Sequence, residues 1–381
     1  MYEAAYRNLL ALLARAVGVE NGARAEEDPR TLCTLAKKHS VCNLLYAAVK
    51  EDESFPKPLL AFLERELFAT AHPQLLQEQE AQVLFARLRE ENIPFLPMKG
   101  IVMRPLYPRP ELRVSCDVDV LYDKRERRRV DGLMRSLGYT CEASDPNHDE
   151  YHKPPCVAIE MHRNLLSDFQ TVDDYYADVW SRLLPVSGSE FRMSDEDFYI
   201  YQTVHSMKHY VGGGTGIRSV LDVFVYLRAK PELDRSYLAC ELDKLGLRPF
   251  HEVLERLSFA WFGGEELTED LVPVSEYILG SGTYGLATQK AANVAARTRG
   301  GKIGYLFSRA FPSYRFMREK FPSLARFPVL LPFFWIYRLV FAMFARKKDA
   351  SRELQALHAT DTEEAARMEL VMRAVSLDGY R

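Results

Sequence analysis

Two aspartates and a glutamate carry the chemistry that this sequence can do. In "SCDVDVLYD" (115–123), Val118 to Tyr122 has the apolar, β-branched character of a strand. Successive side chains of a strand point to opposite faces, so Asp117 and Asp119 share one face, about 7 Å apart, while Val118 and Val120 pack on the other. At an effective dielectric near 20 two like charges at that spacing cost on the order of 2 kcal/mol. A bound divalent cation reverses the sign. In "AIEMHRN", Ile159 and Met161 alternate with Glu160 and His162, which puts Glu160 on the polar face of another strand. If the two strands are neighbours, three carboxylates converge. Oxygen-only ligands suit Mg²⁺ or Mn²⁺. Two such ions, about 4 Å apart, would clamp the attacking and leaving oxygens of an in-line displacement at phosphorus. The competing account is a solvated strand edge carrying both aspartates without a metal. His162, two residues after Glu160, shares its face and either supports the acids or is a core histidine.

Other residues have chemistry to weigh. His205 and His209 stand at i, i+4 on one helix face, a spacing that metal ligands use. No glutamate lies between them as in H-E-x-x-H, and no third soft ligand is evident, so ordinary helix histidines are the competing account. "VGGGTGIR" (211–218) is glycine-rich but lacks the G-x-x-x-x-G-K-[ST] arrangement of a phosphate cradle and reads as a loop. Arg218 and Asp222, at i, i+4, are expected to pair on the helix that follows. "KRERRR" (124–129) is either a solvated helix face or a dock for an acidic acceptor such as tRNA or a phosphorylated sugar.

The elements that must position these residues alternate. Residues 1–70 have helical spacing, and a second long helix runs through "PQLLQEQEAQVLFARLREEN". "IPFLPM" is a buried strand ended by Lys99-Gly100, and "IVMRPLYP" is at most a short helix. The strand "DVDVLYD", the helix "KRERRRVDGLMRSLG" and the strands "YTCEA" and "CVAIEMH" follow, the last two separated by a polar loop. From about Val172 onward the pattern is helical. This predicts a helical N-terminal region (1–70), an α/β core (71–171) and a helical C-terminal lobe (172–381), an α+β protein in all.

Composition bounds the rest. The chain has 381 residues, 47% hydrophobic and 27% charged, with a formal net charge of −3. That is ordinary for a soluble globular protein and argues against stable coating of duplex DNA through bulk charge. The six cysteines form no C-x-x-C pair, so a cysteine zinc site or a disulfide framework is not expected; reduced thiols in the cytoplasm are. The N-terminus "MYEAAYRNLLALLARAVGVE" reads as an amphipathic helix rather than a secretory signal. "FPVLLPFFWIYRLVFAMFARKK" (327–348) is interrupted by Pro328, Pro332 and Arg338. It is too broken to span a bilayer and reads either as a buried helix or as an interfacial helix contacting a membrane, with Arg346, Lys347 and Lys348 at its end.

The run "PMKGIVMRPLYPRPELRVSCDVDVLYD", then "LGY", then "IEMHRNL", resembles the uncharacterised bacterial nucleotidyltransferase family of the polymerase-β superfamily. That family reads K-G, a Tyr, R-x-x-x-D-h-D-h, G-Y and h-E-h-H. The match is close over Phe95–Leu165 and looser over "VHSMKHY" and "GIRSVLDVFVYL". The resemblance implies a polymerase-β-like core with a mixed sheet. It makes Asp117 and Asp119 paired metal ligands and Glu160 a third carboxylate, placed as ligand or general base for the acceptor hydroxyl. It sets Lys99 and Gly100 at the turn whose backbone amide meets the triphosphate, and it has Arg113 reach a phosphate. A solvated strand end for Lys99 and a local acidic partner for Arg113 are the competing accounts. The helix of His205 and His209 would line the cleft and contact nucleotide or acceptor. Gly100 lies seventeen residues before Asp117 and is followed by Ile101, whereas the wider superfamily has Gly-Ser closer to the first Asp. The implied reaction moves a nucleoside monophosphate from an NTP to an acceptor hydroxyl, releasing pyrophosphate. The acceptor is a small molecule, a protein or tRNA. Two rivals stand beside it: a toxin-like transferase acting on tRNA, and a non-catalytic nucleotide-binding or scaffold module of a polysaccharide or peptide-modification system.

Overall fold

The computed structural model describes residues 3–145, 147–165 and 169–283, and then 307, 310–312, 314, 317, 318, 321, 323–345, 362–378 and 380. The chain divides into two compact units: residues 1–206 with 216–272, and residues 207–215 with 273–380.

In the first unit, α1 (Glu3–Ala16), α2 (Pro29–Lys38) and α3 (Cys42–Val49) precede a long helix, α4 (Lys57–Glu90). The second long helix expected over 73–92 begins earlier, at Lys57, and runs through Pro73. A proline removes one backbone hydrogen bond. Here that loss is tolerated because Leu63, on the N-terminal side, and Ala81, Leu84, Phe85 and Leu88, on the C-terminal side, are buried and hold both halves in place.

A seven-stranded mixed sheet follows, in the order β3-β4-β5-β2-β1-β7-β6. Its members are β1 (Phe95–Pro97), β2 (Val118–Tyr122), β3 (Thr140–Ser144), β4 (His148–Lys153), β5 (Val157–His162), β6 (Leu184–Ser187) and β7 (Glu190–Arg192). β1 pairs antiparallel with β2, and β2 pairs parallel with β5. Between β1 and β2 lies the short helix α5 (Gly100–Met103); between β2 and β3 lies α6 (Arg127–Ser136). Val118, Val120 and Tyr122 of β2 and Ile159 and Met161 of β5 pack against Leu84, Phe85 and Leu88 of α4 and Val130, Leu133 and Met134 of α6. Each such side chain contributes roughly 1.5–3 kcal/mol through burial. Strand alternation then obliges Asp119, Glu160 and His162 to project from the opposite face.

Two expectations about the sheet need correction. The polar loop expected between "YTCEA" and "CVAIEMH" contains β4, which pairs with both β3 and β5. Its alternation is concealed because Tyr151 is its one large apolar side chain facing the core, while His148, Glu150 and His152 face the other way. The helical pattern expected from Val172 onward is interrupted by the β6–β7 hairpin, which turns at Gly188 (φ 58°) and adds to the sheet beside β1. Strands of four and three residues are too short to show a period.

The first unit is completed by α7 (Gln170–Tyr175), most of α8 (Asp195–Gly212), α9 (Ile217–Ala229), α10 (Arg235–Leu245) and α11 (Arg248–Phe262). α9 packs on α11, and α1 packs on α3 and α11. In the second unit the Tyr277 hydroxyl donates to the Tyr210 carbonyl at 2.8 Å, and helices cover Leu331–Ala345 and Thr362–Ala374. Phe333, Ile336 and Tyr337 are 65%, 61% and 51% exposed, so the buried-helix reading does not hold for them. Arg346, Lys347 and Lys348 lie outside the described residues. No helix among the described residues is long and apolar enough to cross a membrane.

Candidate active site

The register of two parallel strands assembles the acids. Asp119 of β2 stands directly opposite Glu160 of β5. Asp117 precedes β2 by one residue, and carboxylate oxygens of Asp117, Asp119 and Glu160 lie within 4.8 Å of one another. The convergence expected from "DVD" and "IEMH" is therefore present. Asp119 is buried, and Asp117 and Glu160 are partly so.

Two basic side chains sit inside this group. Lys99 Nζ donates to Asp119 Oδ1 at 2.5 Å. His162 Nε2 lies 2.8 Å from the same oxygen and 3.2 Å from Glu160 Oε2. Burial opposes the charge on Asp119, but Lys99 and His162 outweigh it and hold this carboxyl far below its ordinary range. Burial likewise opposes charge on Lys99 and His162, yet the carboxylates raise both. The hydrogen bond from His162 lowers Glu160. Asp117 shifts the other way: burial raises it, and the neighbouring Asp119 adds to the rise. Its side chain meets Ser115 Oγ at 3.3 Å, and no described cation forms an ion pair with it. Asp117 is thus the acid of the three without a basic partner among the described residues. An all-oxygen donor set that includes a partly buried acid with no ion-pair partner among the described residues fits a divalent cation such as Mg²⁺ or Mn²⁺.

The Lys99-Gly100 pair is positioned by the end of β1. Met98 donates to the Asp119 carbonyl at 3.0 Å, which sets the next residue beside the acids. Lys99 adopts a positive φ of 48° and caps α5, a conformation uncommon for a residue with a side chain. Gly100 is required by close approach: a Cβ there would lie 2.6 Å from Ser115 Oγ and 3.0 Å from Arg113 Nη1.

Arg113 finds a distant partner rather than the local acid, Glu111 or Asp117, that the sequence offers. Its Nε and Nη2 donate to Asp222 of α9 at 3.0 and 2.9 Å, and the Tyr107 hydroxyl donates to the same carboxylate at 2.8 Å. The expected Arg218–Asp222 pair is thereby replaced; Arg218 Nη1 donates to the Val114 carbonyl at 2.9 Å. A partner 109 positions away outcompetes the i+4 neighbour because a buried bidentate bond satisfies two guanidinium donors at once. This network ties the loop before β2 to α9 and fixes the approach to Asp117.

His205 lies on α8 with its ring 6.3 Å from that of Tyr201, and His209 falls in the second unit. Among the described residues neither joins a cluster able to hold a metal. The run at 124–129 is largely exposed and paired, Arg125 with Asp123, Arg129 with Glu126 and Arg127 with Asp149. Sequence reasoning missed His148 and Glu150, which β4 sets opposite His162 and Glu160. An alternation of polar residues around Tyr151 was the available signal.

The mixed sheet thus presents a D-x-D pair and a third acid from a neighbouring parallel strand. A family model described as "Uncharacterised nucleotidyltransferase" matches residues 25–263, and the chain belongs to that family. No curated protein and no solved structure gave a significant match.

Proposed function

We propose that this protein is a Mg²⁺- or Mn²⁺-dependent nucleotidyltransferase that moves a nucleoside monophosphate from an NTP to an acceptor hydroxyl, with release of pyrophosphate. The observation that carries the proposal is the meeting of Asp117, Asp119 and Glu160 within 4.8 Å on one sheet face. Asp117 and Asp119 hold the metal, with Glu160 as third ligand or as base for the acceptor hydroxyl. Two bound ions would supply charge neutralisation at the transferring phosphoryl group and at the attacking and leaving oxygens. Lys99, already beside Asp119, is placed to turn to a phosphate oxygen once a cation replaces it. The Gly100 amide and the Arg113 guanidinium, held at 3.0 Å by Asp222, are assigned to the triphosphate. His205 is assigned to nucleotide or acceptor. The protein's share of the work is positioning and electrostatics rather than covalent chemistry.

The acceptor is a small molecule, a protein or tRNA. A cytoplasmic location is part of the proposal, supported by six free thiols. So is peripheral contact of 327–348 with an anionic lipid surface. Val329, Phe333, Ile336 and Tyr337 are exposed at helical spacing, and residues 326–348 include five Lys or Arg and no acid. Co-sedimentation with phosphatidylserine vesicles, lost in Phe333→Glu, tests that contact.

The activity is tested by incubating the protein with α-labelled NTPs, Mg²⁺ and cell extract, beside Asp119→Asn. Transfer of label by the wild type alone is expected. Equal labelling by both would remove the mechanism. Label confined to RNA favours the tRNA-directed toxin-like transferase, and tight NTP binding without turnover favours the scaffold.

A further inference from the structure

A second group of ligand atoms runs from Glu160 and His162 of β5 to the neighbouring strand β4. His148 of β4 pairs in register with His162 of β5, and Glu150 pairs with Glu160. All four side chains project from one sheet face. His148 Nε2 is 3.9 Å from Glu160 Oε2 and 3.3 Å from Glu150 Oε1; His162 Nε2 is 3.2 Å from Glu160 Oε2. The ligand atoms of His148, Glu160 and His162 lie within 4.8 Å of one another. A tetrahedral ion with bonds of 2.0–2.1 Å has ligand-to-ligand edges of about 3.3 Å. His148–Glu150 and His162–Glu160 meet that value, and His148–Glu160, at 3.9 Å, exceeds it by about 0.6 Å.

The setting is that of a ligand rather than of a packing histidine. The two imidazoles are stacked, with centroids 5.0 Å apart, and both Nε2 atoms face Glu160 Oε2. The other nitrogen of His148, Nδ1, faces Asp145 Oδ2 at 3.5 Å. A carboxylate behind the ring is the arrangement that orients metal-bound histidines. Asp145 is itself fixed, accepting from the backbone amide of His148 at 2.9 Å. His162 is buried, whereas the His148 and Glu150 side chains are 21% and 41% exposed, which leaves the group open to an ion from solvent.

The geometry points to a second divalent-metal site at His148, Glu160, His162 and Glu150, with two imidazole nitrogens among its four ligands and suited to a d-block ion such as Zn²⁺ or Co²⁺. It differs in kind from the all-oxygen group at Asp117 and Asp119, because imidazole selects against Mg²⁺. Glu160 is common to the two groups. Ligation takes the neutral ring, so His162 gives up its hydrogen bond to Asp119, which keeps Lys99. The site stands on β4 and β5 whether or not the protein transfers nucleotides.

Co²⁺ titration followed by visible d–d absorption tests it, using the wild type, His148→Ala, His148→Gln and Asp117→Asn. The wild type is expected to bind one Co²⁺ with an absorption of low-symmetry nitrogen and oxygen ligation, displaced by Zn²⁺. Both His148 variants are expected to bind at least about 10-fold more weakly, and Asp117→Asn to retain the absorption. The site is refuted if the wild type shows no such absorption, if a folded His148 variant matches the wild type, or if Asp117→Asn alone abolishes binding. A wild type that shows this absorption but transfers no label would overturn the transfer mechanism and leave the site standing.

Discussion

Lys99 acts as a standing counter-ion for Asp119, and removing it exposes the electrostatics of the whole site. In Lys99→Met the buried Asp119, 1% exposed at its side chain, loses a partner 2.5 Å away. Breaking one side of a buried ion pair costs about 3–5 kcal/mol. His162 remains 2.8 Å from the same oxygen, so the low end, about 3 kcal/mol, applies. For a unit of this size that lowers Tm by about 6 °C. A divalent cation at 100 times its Kd contributes about 2.7 kcal/mol to the folded state, nearly the whole deficit. Thermal unfolding with EDTA and then with saturating Mn²⁺ is the assay. The variant is expected to fall below the wild type in EDTA and to recover most of the difference with Mn²⁺. It should also gain more from the metal than the wild type does, because in the wild type the ion competes with Lys99. Equal Tm values in EDTA, or a larger metal gain in the wild type, would refute this.

Three further outcomes follow from the surrounding contacts. Asp222→Asn leaves the buried Arg113 guanidinium without its counter-charge and should cost about 3 kcal/mol, read as a lower urea midpoint at unchanged m-value. Gly100→Ala drives a methyl group to 2.6 Å from Ser115 Oγ and should cost about 1–3 kcal/mol; Ser115→Gly in the same chain should recover most of it. Glu241 is depressed: burial raises its pKa, but Lys244, Tyr175 and Arg182 outweigh it. A folded pKa below the unfolded one gives stability that is present above about pH 4.3 and lost as pH falls through the folded value. Glu241→Gln should therefore lower the urea midpoint at pH 7 and flatten its decline in acid.

The acids were legible in the sequence because alternation fixes a face: Val118 and Val120 place Asp117 and Asp119 on the other side, and Ile159 and Met161 do the same for Glu160. Their meeting was conditional on β2 and β5 being neighbours, a matter of register between strands some forty residues apart that no local pattern encodes. β4 was invisible because the residues on its other face, His148, Glu150 and His152, are polar and only Tyr151 packs inward as a large side chain, so the strand lacks the apolar beat that marks its neighbours. The Arg113–Asp222 bond was hidden for a related reason. Local spacing offered Asp222 a partner at Arg218, and only tertiary packing brought the loop after α5 to α9.

Mn²⁺ titration followed by loss of the free-ion EPR signal, in the wild type and in Asp117→Asn and Asp119→Asn, bears most directly on the three-acid site. Saturable binding by the wild type and at least about 10-fold weaker binding by each variant are predicted. Equal affinity in all three proteins would contradict the account.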